Sequence, residues 1–234
     1  MEIANPLIVA FDGLSPSDAL SAAELLADTG VIIKINDLLD DKDGGPAMLG
    51  ALAEFGVPFA DPKFFDIDNT MANRMKNIVA AGARMVTIHA ANTVKAMQAA
   101  VDNRGHAIVL GVTVLTSMNE DDCNESFGGS SKARVLHFAE KAMMAGVQGI
   151  VCSPQELKFL ADYPHLSGLL KVTPGIRPDW YQKKDDQARK MTPGEAIKLG
   201  ADYLVMGRPI LRAHIPPKEA VARTLEEIEV ARAA

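Results

Sequence analysis

Short apolar runs recur along the chain, and segments with helical patterning separate them. The eight runs are residues 7–11, 31–35, 57–60, 85–89, 107–115, 149–152, 169–172 and 203–206. Near-continuous apolar strands of this kind are typical of a parallel sheet that helices cover on both faces. The pattern therefore predicts an α/β protein in which strands and helices alternate.

The helical segments fill the intervals between the runs, and a last one follows the eighth run. They are residues 17–27, 46–55, 70–81, 93–101, 132–145, 154–161, 193–199 and 217–231. Several are followed by glycine, for example Gly30, Gly56 and Gly82, which is typical of a left-handed cap that leads into a strand. Eight strand–helix units favour a closed (β/α)8 TIM barrel over an open doubly wound sheet. No G-x-G-x-x-G motif follows the first strand, which also disfavours the open sheet.

The length of the chain is compatible with one barrel. Its 234 residues are close to the roughly 250 residues of a typical (β/α)8 barrel, although two small domains could have the same length. Because no linker-like segment interrupts the pattern, we predict a single barrel domain over residues 1–234. Hydrophobic residues make up 48% and charged residues 23% of the chain, a composition that argues against disorder.

Charge and cysteine content narrow the range of partners. The net charge of −6 disfavours a general nucleic-acid or anionic-membrane surface. The two cysteines, Cys123 and Cys152, form no CxxC pair, so a structural zinc site is not expected. The N-terminus lacks the pattern of a signal peptide, and the longest apolar run is too short to span a bilayer. We therefore expect a cytoplasmic protein without a nucleic-acid or membrane partner.

The third strand is followed by the most informative polar residues of the chain, which are Asp61, Lys63 and Asp66. Residues two apart in a strand point to the same face, so Asp61 and Lys63 are expected to project together. A lysine between two carboxylates stays protonated, because opposite charges favour its charged form. This arrangement suits the delivery of a proton at a defined point and needs no cofactor.

Further polar residues follow the other strands. In a barrel, catalytic residues come from the C-terminal ends of the strands. These ends carry Asp12, Lys34, Asp61, Lys63, His89, Thr116, Ser117, Ser153, Pro174, Arg177, Gly207 and Arg208. Buried charges are costly unless they are paired, so mutual pairing and an anionic ligand best explain this set. The segments at residues 173–177 and 206–208 close strands seven and eight, where barrels often bind phosphate.

These motifs resemble the orotidine 5′-phosphate decarboxylase family. The matching segments are Ala10-Phe11-Asp12, Ile33-Lys34, Asp61-x-Lys63-x-x-Asp66-Ile67-x-x-Thr70, Thr113-Val114-Leu115-Thr116-Ser117-Met118, Thr173-Pro174-Gly175-Ile176-Arg177-Pro178, Asp186-Gln187 and Gly207-Arg208-Pro209-Ile210. They occur in the order of the family and cover nearly the whole chain. Members of the family often have His and Pro where this chain has Phe65 and Asp68.

The resemblance implies a reaction and the residues that carry it. The family converts orotidine 5′-monophosphate to UMP and CO2, the last step of de novo pyrimidine synthesis, without a metal or an organic cofactor. By resemblance, Lys63 is the proton donor and Asp61 lies near the departing carboxylate. Asp66 and Lys34 are expected to complete a network of alternating charges with them.

The resemblance also implies how the substrate is bound. Asp12 and Lys34 would contact the ribose, and Thr116 and Ser117 would contact the pyrimidine. The expected contacts near the phosphate come from Pro174, Arg177, Gln187, Gly207 and Arg208. Residues 176–191 would form a loop that closes over the substrate. The family forms a homodimer, in which Asp66, Ile67 and Thr70 would complete the site of the partner subunit.

Two other functions are compatible with parts of this pattern. The D-x-K-x-x-D motif also occurs in magnesium-dependent sugar-phosphate decarboxylases and aldol-type synthases on the same barrel, which EDTA would inactivate. The third hypothesis is a nucleotide-phosphate-binding barrel that has lost turnover, although Lys63 and both carboxylates are present. We interpret His89 as a structural histidine at a strand end, because the proton donor is already assigned.

Overall fold

The computed structural model describes residues 3–181 and 191–233. Its centre is a closed barrel of parallel strands in which each strand pairs with its neighbours in the sequence. The strands are β1 (Leu7–Ala10), β2 (Ile32–Ile35), β3 (Val57–Phe64), β4 (Met85–His89), β5 (Ile108–Val112), β6 (Gly149–Val151), β7 (Leu170–Pro174) and β8 (Tyr203–Met206). Pairing of β1 with β8 closes the barrel. The predicted (β/α)8 TIM barrel is thereby confirmed.

Helices connect the strands on the outside of the barrel. They are α1 (Pro16–Glu24), α2 (Ala47–Leu52), α3 (Asp68–Ala80), α4 (Val94–Asp102), α5 (Glu120–Phe127), α6 (Ser131–Met144), α7 (Leu157–Ala161), α8 (Pro193–Lys198), α9 (Arg208–Leu211) and α10 (Pro217–Ala233). Several of these helices begin at residues that cap the helix N-terminus. Ser15 caps α1 by accepting from the backbone N–H of Asp18, and Thr192 and Glu195 form a capping box on α8. Within residues 3–181 and 191–233, every helix is too short or too polar to span a lipid bilayer.

Two layers of apolar side chains hold the barrel together. The inner layer fills the barrel, and its buried members are Ile8, Ile32, Phe59, Met85, Leu110, Val172, Tyr203 and Val205. The outer layer lies between the strands and the helices and includes Leu7, Val9, Ile33 and Val86. Successive strand residues therefore point to opposite layers, and both are apolar, which is why the strands are near-continuous apolar runs in the sequence.

The structure departs from the sequence prediction in two segments near the mouth of the barrel. The strand predicted at residues 107–115 ends at Val112, and its last residues form the loop that leads to α5. This helix was not predicted, because its eight residues are mostly polar. Its start was nevertheless readable, because Asn119 and Asp122 form a capping box.

The third strand is longer than predicted, and this matters for the site. It runs to Phe64 rather than ending at residue 60, but its register with β4 shifts between Ala60 and Phe64. Ala60 pairs with Val86 and Phe64 with Ile88. Three residues of β3 therefore oppose the single residue Thr87 of β4, which is a bulge in the ladder.

Candidate active site

A buried lysine joins the ends of the first three strands. Lys34, the third residue of β2, is 6% exposed. Its Nζ lies 2.7 Å from Oδ1 of Asp12, which follows β1, and 3.0 Å from Oδ2 of Asp61 in β3. A buried ammonium group needs partners of this kind, because an unpaired charge in the interior is strongly destabilising.

A second lysine extends this set toward the mouth of the barrel. Nζ of Lys63 lies 2.9 Å from Oδ2 of Asp61, and the Lys63 side chain is 31% exposed. Asp12, Lys34, Asp61 and Lys63 therefore form a chain of alternating charge, which we call the charge network. Lys34 and Asp61 are buried, whereas Lys63 lines a cavity at the mouth of the barrel.

The backbone of β3 brings Lys63 to this position by an unusual route. Lys63 has φ +48°, in the left-handed region that side-chain-bearing residues seldom adopt. Its N–H donates to Oγ1 of Thr87 at 2.9 Å, and the Thr87 hydroxyl donates to Oδ1 of Asp61 at 2.8 Å. The expectation that Asp61 and Lys63 lie together is met, but through this bulge rather than through regular strand alternation.

Two adjoining cavities open at this end of the barrel. The first is lined by the charge network, by Thr116 and by apolar strand residues such as Val112 and Val172. The second is basic, and its lining includes Pro174, Gly175, Arg177, Gly207, Arg208 and Arg212. Asp12 and Pro174 line both cavities. A ligand with an anionic group could therefore occupy both cavities at once.

The backbone at Gly207 is close to the first strand. A Cβ atom at this position would lie 3.1 Å from the carbonyl oxygen of Ala10, so a side chain would crowd β1. Arg177 is buried, and one of its guanidinium nitrogens donates to the carbonyl of Ile176 at 2.8 Å. The N–H of Arg177 in turn donates to the carbonyl of Met191 at 3.0 Å, which joins the two ends of the predicted lid segment.

Comparison with known proteins identifies the family. A family model described as "Orotidine 5′-phosphate decarboxylase / HUMPS family" matches residues 5–224. The chain belongs to this family. It is 38% identical over 228 residues to the orotidine 5′-phosphate decarboxylase of Alkalilimnicola ehrlichii, with 95% of each chain covered. It is 36% identical over 241 residues to that of Heliobacterium modesticaldum, with 97% of each covered.

A solved structure of the family has the same architecture. The crystal structure of orotidine 5′-phosphate decarboxylase from Lactobacillus acidophilus superposes with a TM-score of 0.80 at 28% identity. The superposition covers 95% of this chain and 98% of that one. The similarity thus extends over nearly the whole length of both chains.

The electrostatics of the network keep its buried members charged. Burial alone would raise the pKa of the Asp61 carboxyl, but the charges of Lys34 and Lys63 and the hydrogen bonds from Lys63 and Thr87 outweigh it, so this pKa is lowered. Burial alone would lower the pKa of Lys34, but Asp61 and Asp12 raise it above its ordinary value. At neutral pH Asp61 therefore remains a carboxylate, and it lies between the side chains of Lys34 and Lys63.

Asp66, the second carboxylate of the D-x-K-x-x-D motif, lies apart from the charge network within one chain. Oδ2 of Asp66 is 3.9 Å from Arg74 in α3, and Oδ1 accepts from the N–H of Ile67. Among the described side chains, the ion pair of Lys63 is with Asp61. The expectation that Lys63 lies between both carboxylates is therefore not met within a single chain. The backbone of Asp66 is held by Asn92, which donates to its carbonyl at 2.8 Å.

Among the described residues, Ile67, Thr70 and Ser117 lie outside the charge network and line neither of the two cavities. Ile67 is 69% exposed, next to the exposed Phe65, and Thr70 is half-buried in the first turn of α3. Ser117 is exposed in the loop after β5 and is not among the residues that line the described cavities. Gln187 lies outside the residues that the structure describes.

The environment of His89 agrees with a structural role. Its Nδ1 accepts a hydrogen bond from the N–H of Ala91 at 3.1 Å, and its ring packs near Phe65, Phe127 and Phe138. Burial, together with the charges of Lys63 and Lys141, lowers the pKa of His89. The ring is therefore neutral at neutral pH.

Sequence analysis did not find Thr87 or Asn92. Both are buried polar residues that hold the backbone of the D-x-K-x-x-D segment. Thr87 lies inside an apolar run and reads there as an ordinary β-branched strand residue. The contacts of its hydroxyl with Asp61 and Lys63 depend on the bulge in β3, which the sequence does not indicate.

Proposed function

We propose that this chain decarboxylates orotidine 5′-monophosphate to UMP and CO2 without a metal or an organic cofactor. The observation that carries the proposal is the charge network, in which Lys63 faces a cavity that adjoins a basic one. A substrate with a carboxylate at one end and a phosphate at the other matches this distribution of charge. The names of the homologous decarboxylases support the same reaction.

Lys63 is the proposed proton donor. When the bond between C6 and the carboxylate breaks, its electron pair stays on C6 in the plane of the ring and cannot delocalise into the π system. An ammonium group beside C6 stabilises this charge and then gives it a proton, which forms the C6–H bond. The ammonium is regenerated by a proton from water. Partial exposure of the Lys63 side chain allows this exchange.

The other charges hold the Lys63 side chain in place. Asp61 contacts both lysines and lies beside the position proposed for the substrate carboxylate. Lys34 pairs with both Asp61 and Asp12 and so fixes the position of both carboxylates. Because these groups are already oriented, little reorganisation is needed when charge develops on C6. We assign Asp12 and Lys34 to the ribose, and Thr116 and Ser117 to the pyrimidine.

The basic cavity is the proposed phosphate site. Arg177, Gly207 and Arg208 lie around it, and Gln187 is assigned to it by family resemblance. Arginine binds phosphate with two parallel hydrogen bonds, which fixes the orientation of the ligand. The phosphate is remote from C6, so its binding energy can hold the pyrimidine against the charge network.

Replacing Arg208 by alanine is expected to lower kcat/KM for the phosphorylated substrate but not for a substrate without the phosphate. Charge-assisted hydrogen bonds contribute about 1.5–3 kcal/mol, so kcat/KM for orotidine 5′-monophosphate should fall by about 10- to 100-fold. Activity toward orotidine, which lacks the phosphate, should change little. Arg223→Ala, which removes an arginine paired with Glu219 on the surface of α10, is the matched control. Equal losses with both substrates would contradict the phosphate assignment.

A homodimer is part of the proposal. Asp66 is not in contact with the Lys63 of its own chain, and Phe65 and Ile67 beside it are exposed apolar side chains. These features are those expected of a segment that packs on a partner subunit. We propose that Asp66, Ile67 and Thr70 complete the partner's site.

Mixing two inactive variants tests this shared site. Lys63→Ala chains retain Asp66, and Asp66→Asn chains retain Lys63, so one of the two sites in a mixed dimer should have both groups. We expect each variant alone to be nearly inactive and the refolded mixture to recover up to about a quarter of wild-type activity, since about half of randomly paired dimers are mixed. A mixture no more active than its components would contradict the shared site.

The reaction itself is distinguished from the alternatives by its substrate and by EDTA. Purified protein in EDTA should convert orotidine 5′-monophosphate to UMP, detected by chromatography. Turnover of pentulose or hexulose phosphates that requires magnesium would favour the sugar-phosphate enzymes. Binding of UMP without any turnover would favour the non-catalytic barrel. The cytoplasmic location remains a prediction.

A further inference from the structure

The hydroxyl of Thr87 joins the two central members of the charge network. It accepts from the backbone N–H of Lys63 at 2.9 Å and donates to Oδ1 of Asp61 at 2.8 Å. Thr87 is fully buried in the middle of β4 and faces neither cavity. Its hydroxyl is thus fully engaged with the two residues whose relative position matters most for the reaction.

The bulge in β3 explains why this contact is needed. Three residues, Asp61, Pro62 and Lys63, oppose Thr87 where the β3–β4 register shifts. Pro62 has no N–H, and the N–H of Lys63 is turned out of the regular ladder. The Thr87 hydroxyl replaces the backbone carbonyl that a regular strand would offer to this N–H.

The backbone of Lys63 is strained at the same point. Its φ of +48° is shared by few residues with a side chain, and in the described ranges only Asp28 also has a positive φ without being glycine. Strained conformations persist where the surroundings hold them, and they often occur at functional sites. At Lys63 the surrounding contact is the hydrogen bond from its backbone N–H to the Thr87 hydroxyl.

We propose that Thr87 is a positioning residue, which sets the direction of the Lys63 side chain and the orientation of the Asp61 carboxylate. The inference rests on the proposed decarboxylation, in which the ammonium group of Lys63 must reach C6. Thr87 acts through the two charged residues and does not touch the substrate. Its loss should therefore affect the chemical step and leave phosphate binding in place.

Two variants separate the hydroxyl from the shape of the side chain. Thr87→Val keeps a β-branched side chain and removes the hydroxyl, whereas Thr87→Ser keeps the hydroxyl. Because small displacements of catalytic groups cost up to about 100-fold, we expect kcat of Thr87→Val to fall by about 10- to 100-fold. KM should stay within about twofold of wild type, since the phosphate contacts are intact. Thr87→Ser should recover most of kcat.

The matched control is Thr224→Val in α10. Thr224 is also fully buried, its hydroxyl donates to the carbonyl of Ala220 at 2.8 Å, and it lines neither of the two cavities. This variant measures the effect of losing a buried hydroxyl as such, and its kcat should equal that of wild type. Wild-type kcat in Thr87→Val, equal losses in the Val and Ser variants, or a loss confined to KM would overturn the inference.

A second measurement does not depend on the substrate. Hydrogen–deuterium exchange of the peptide that covers the end of β3 reports the protection of the Lys63 amide. We expect faster exchange in Thr87→Val than in wild type and near wild-type exchange in Thr87→Ser. Unchanged exchange in Thr87→Val would overturn the positioning role even if the wild-type protein did not decarboxylate orotidine 5′-monophosphate. The failure of that reaction alone would instead count against the proposed function.

Discussion

Replacing Lys63 by alanine is expected to reduce kcat for orotidine 5′-monophosphate by at least about 10³-fold, because the variant loses both the proton donor and the cation beside C6. The proposed phosphate contacts of Arg177 and Arg208 do not involve Lys63, so the variant should still bind UMP. The side chain of Lys63 is partly exposed and its backbone contact to Thr87 does not depend on it, so the fold should be retained.

Steady-state kinetics and UMP titration measure the two effects separately. Lys158→Ala is the matched control, because Lys158 is an exposed lysine of α7. Its kcat and its affinity for UMP should equal those of wild type. A Lys63→Ala protein that turns over within about tenfold of wild type would contradict the role of Lys63, because general acid catalysis is typically worth 10²-fold or more.

Replacing Lys34 by methionine is expected to lower both activity and stability. Methionine fills a similar volume but leaves Asp12 and Asp61 without their shared cation. Removing one partner from a buried ion pair costs about 3–5 kcal/mol, and we expect the lower end, because Lys63 still contacts Asp61. Since the carboxylate that orients Lys63 is no longer fixed, kcat/KM should fall by about 10²-fold or more.

Urea unfolding at one protein concentration, together with steady-state kinetics, tests this expectation. The control is Lys95→Met, which removes an exposed lysine that pairs with Asp68. Exposed pairs contribute little, so this variant should unfold at nearly the wild-type urea concentration. If Lys34→Met were as stable as Lys95→Met and fully active, Lys34 would not be the buried centre of the network.

Much of this account could be predicted from the sequence because the barrel has strong local signals. Each strand is buried on both faces, so each appears as an apolar run, and β4 and β8 were predicted with the bounds that the structure has. Parallel strands place their C-terminal ends at one edge, which is why Asp12, Lys34 and Asp61 could be expected to meet. The basic cavity follows in the same way from the ends of β7 and β8.

What the sequence did not predict depends on geometry that no local pattern records. The left-handed conformation of Lys63 arises from a bulge between two strands that are distant along the chain. Thr87 and Asn92 act through their neighbours, and their residue types are common in strands and turns. Asp66 lies apart from Lys63 within one chain. In the proposed account it completes the site of a partner subunit, which the sequence of one chain does not show.

The most direct test of the central claim is the decrease in absorbance as orotidine 5′-monophosphate is consumed, measured in EDTA with wild type and Lys63→Ala side by side. The account predicts rapid formation of UMP by wild type and almost none by the variant. Absence of turnover by a folded wild-type protein would contradict the proposed function. Equal turnover by both proteins would contradict the role of Lys63.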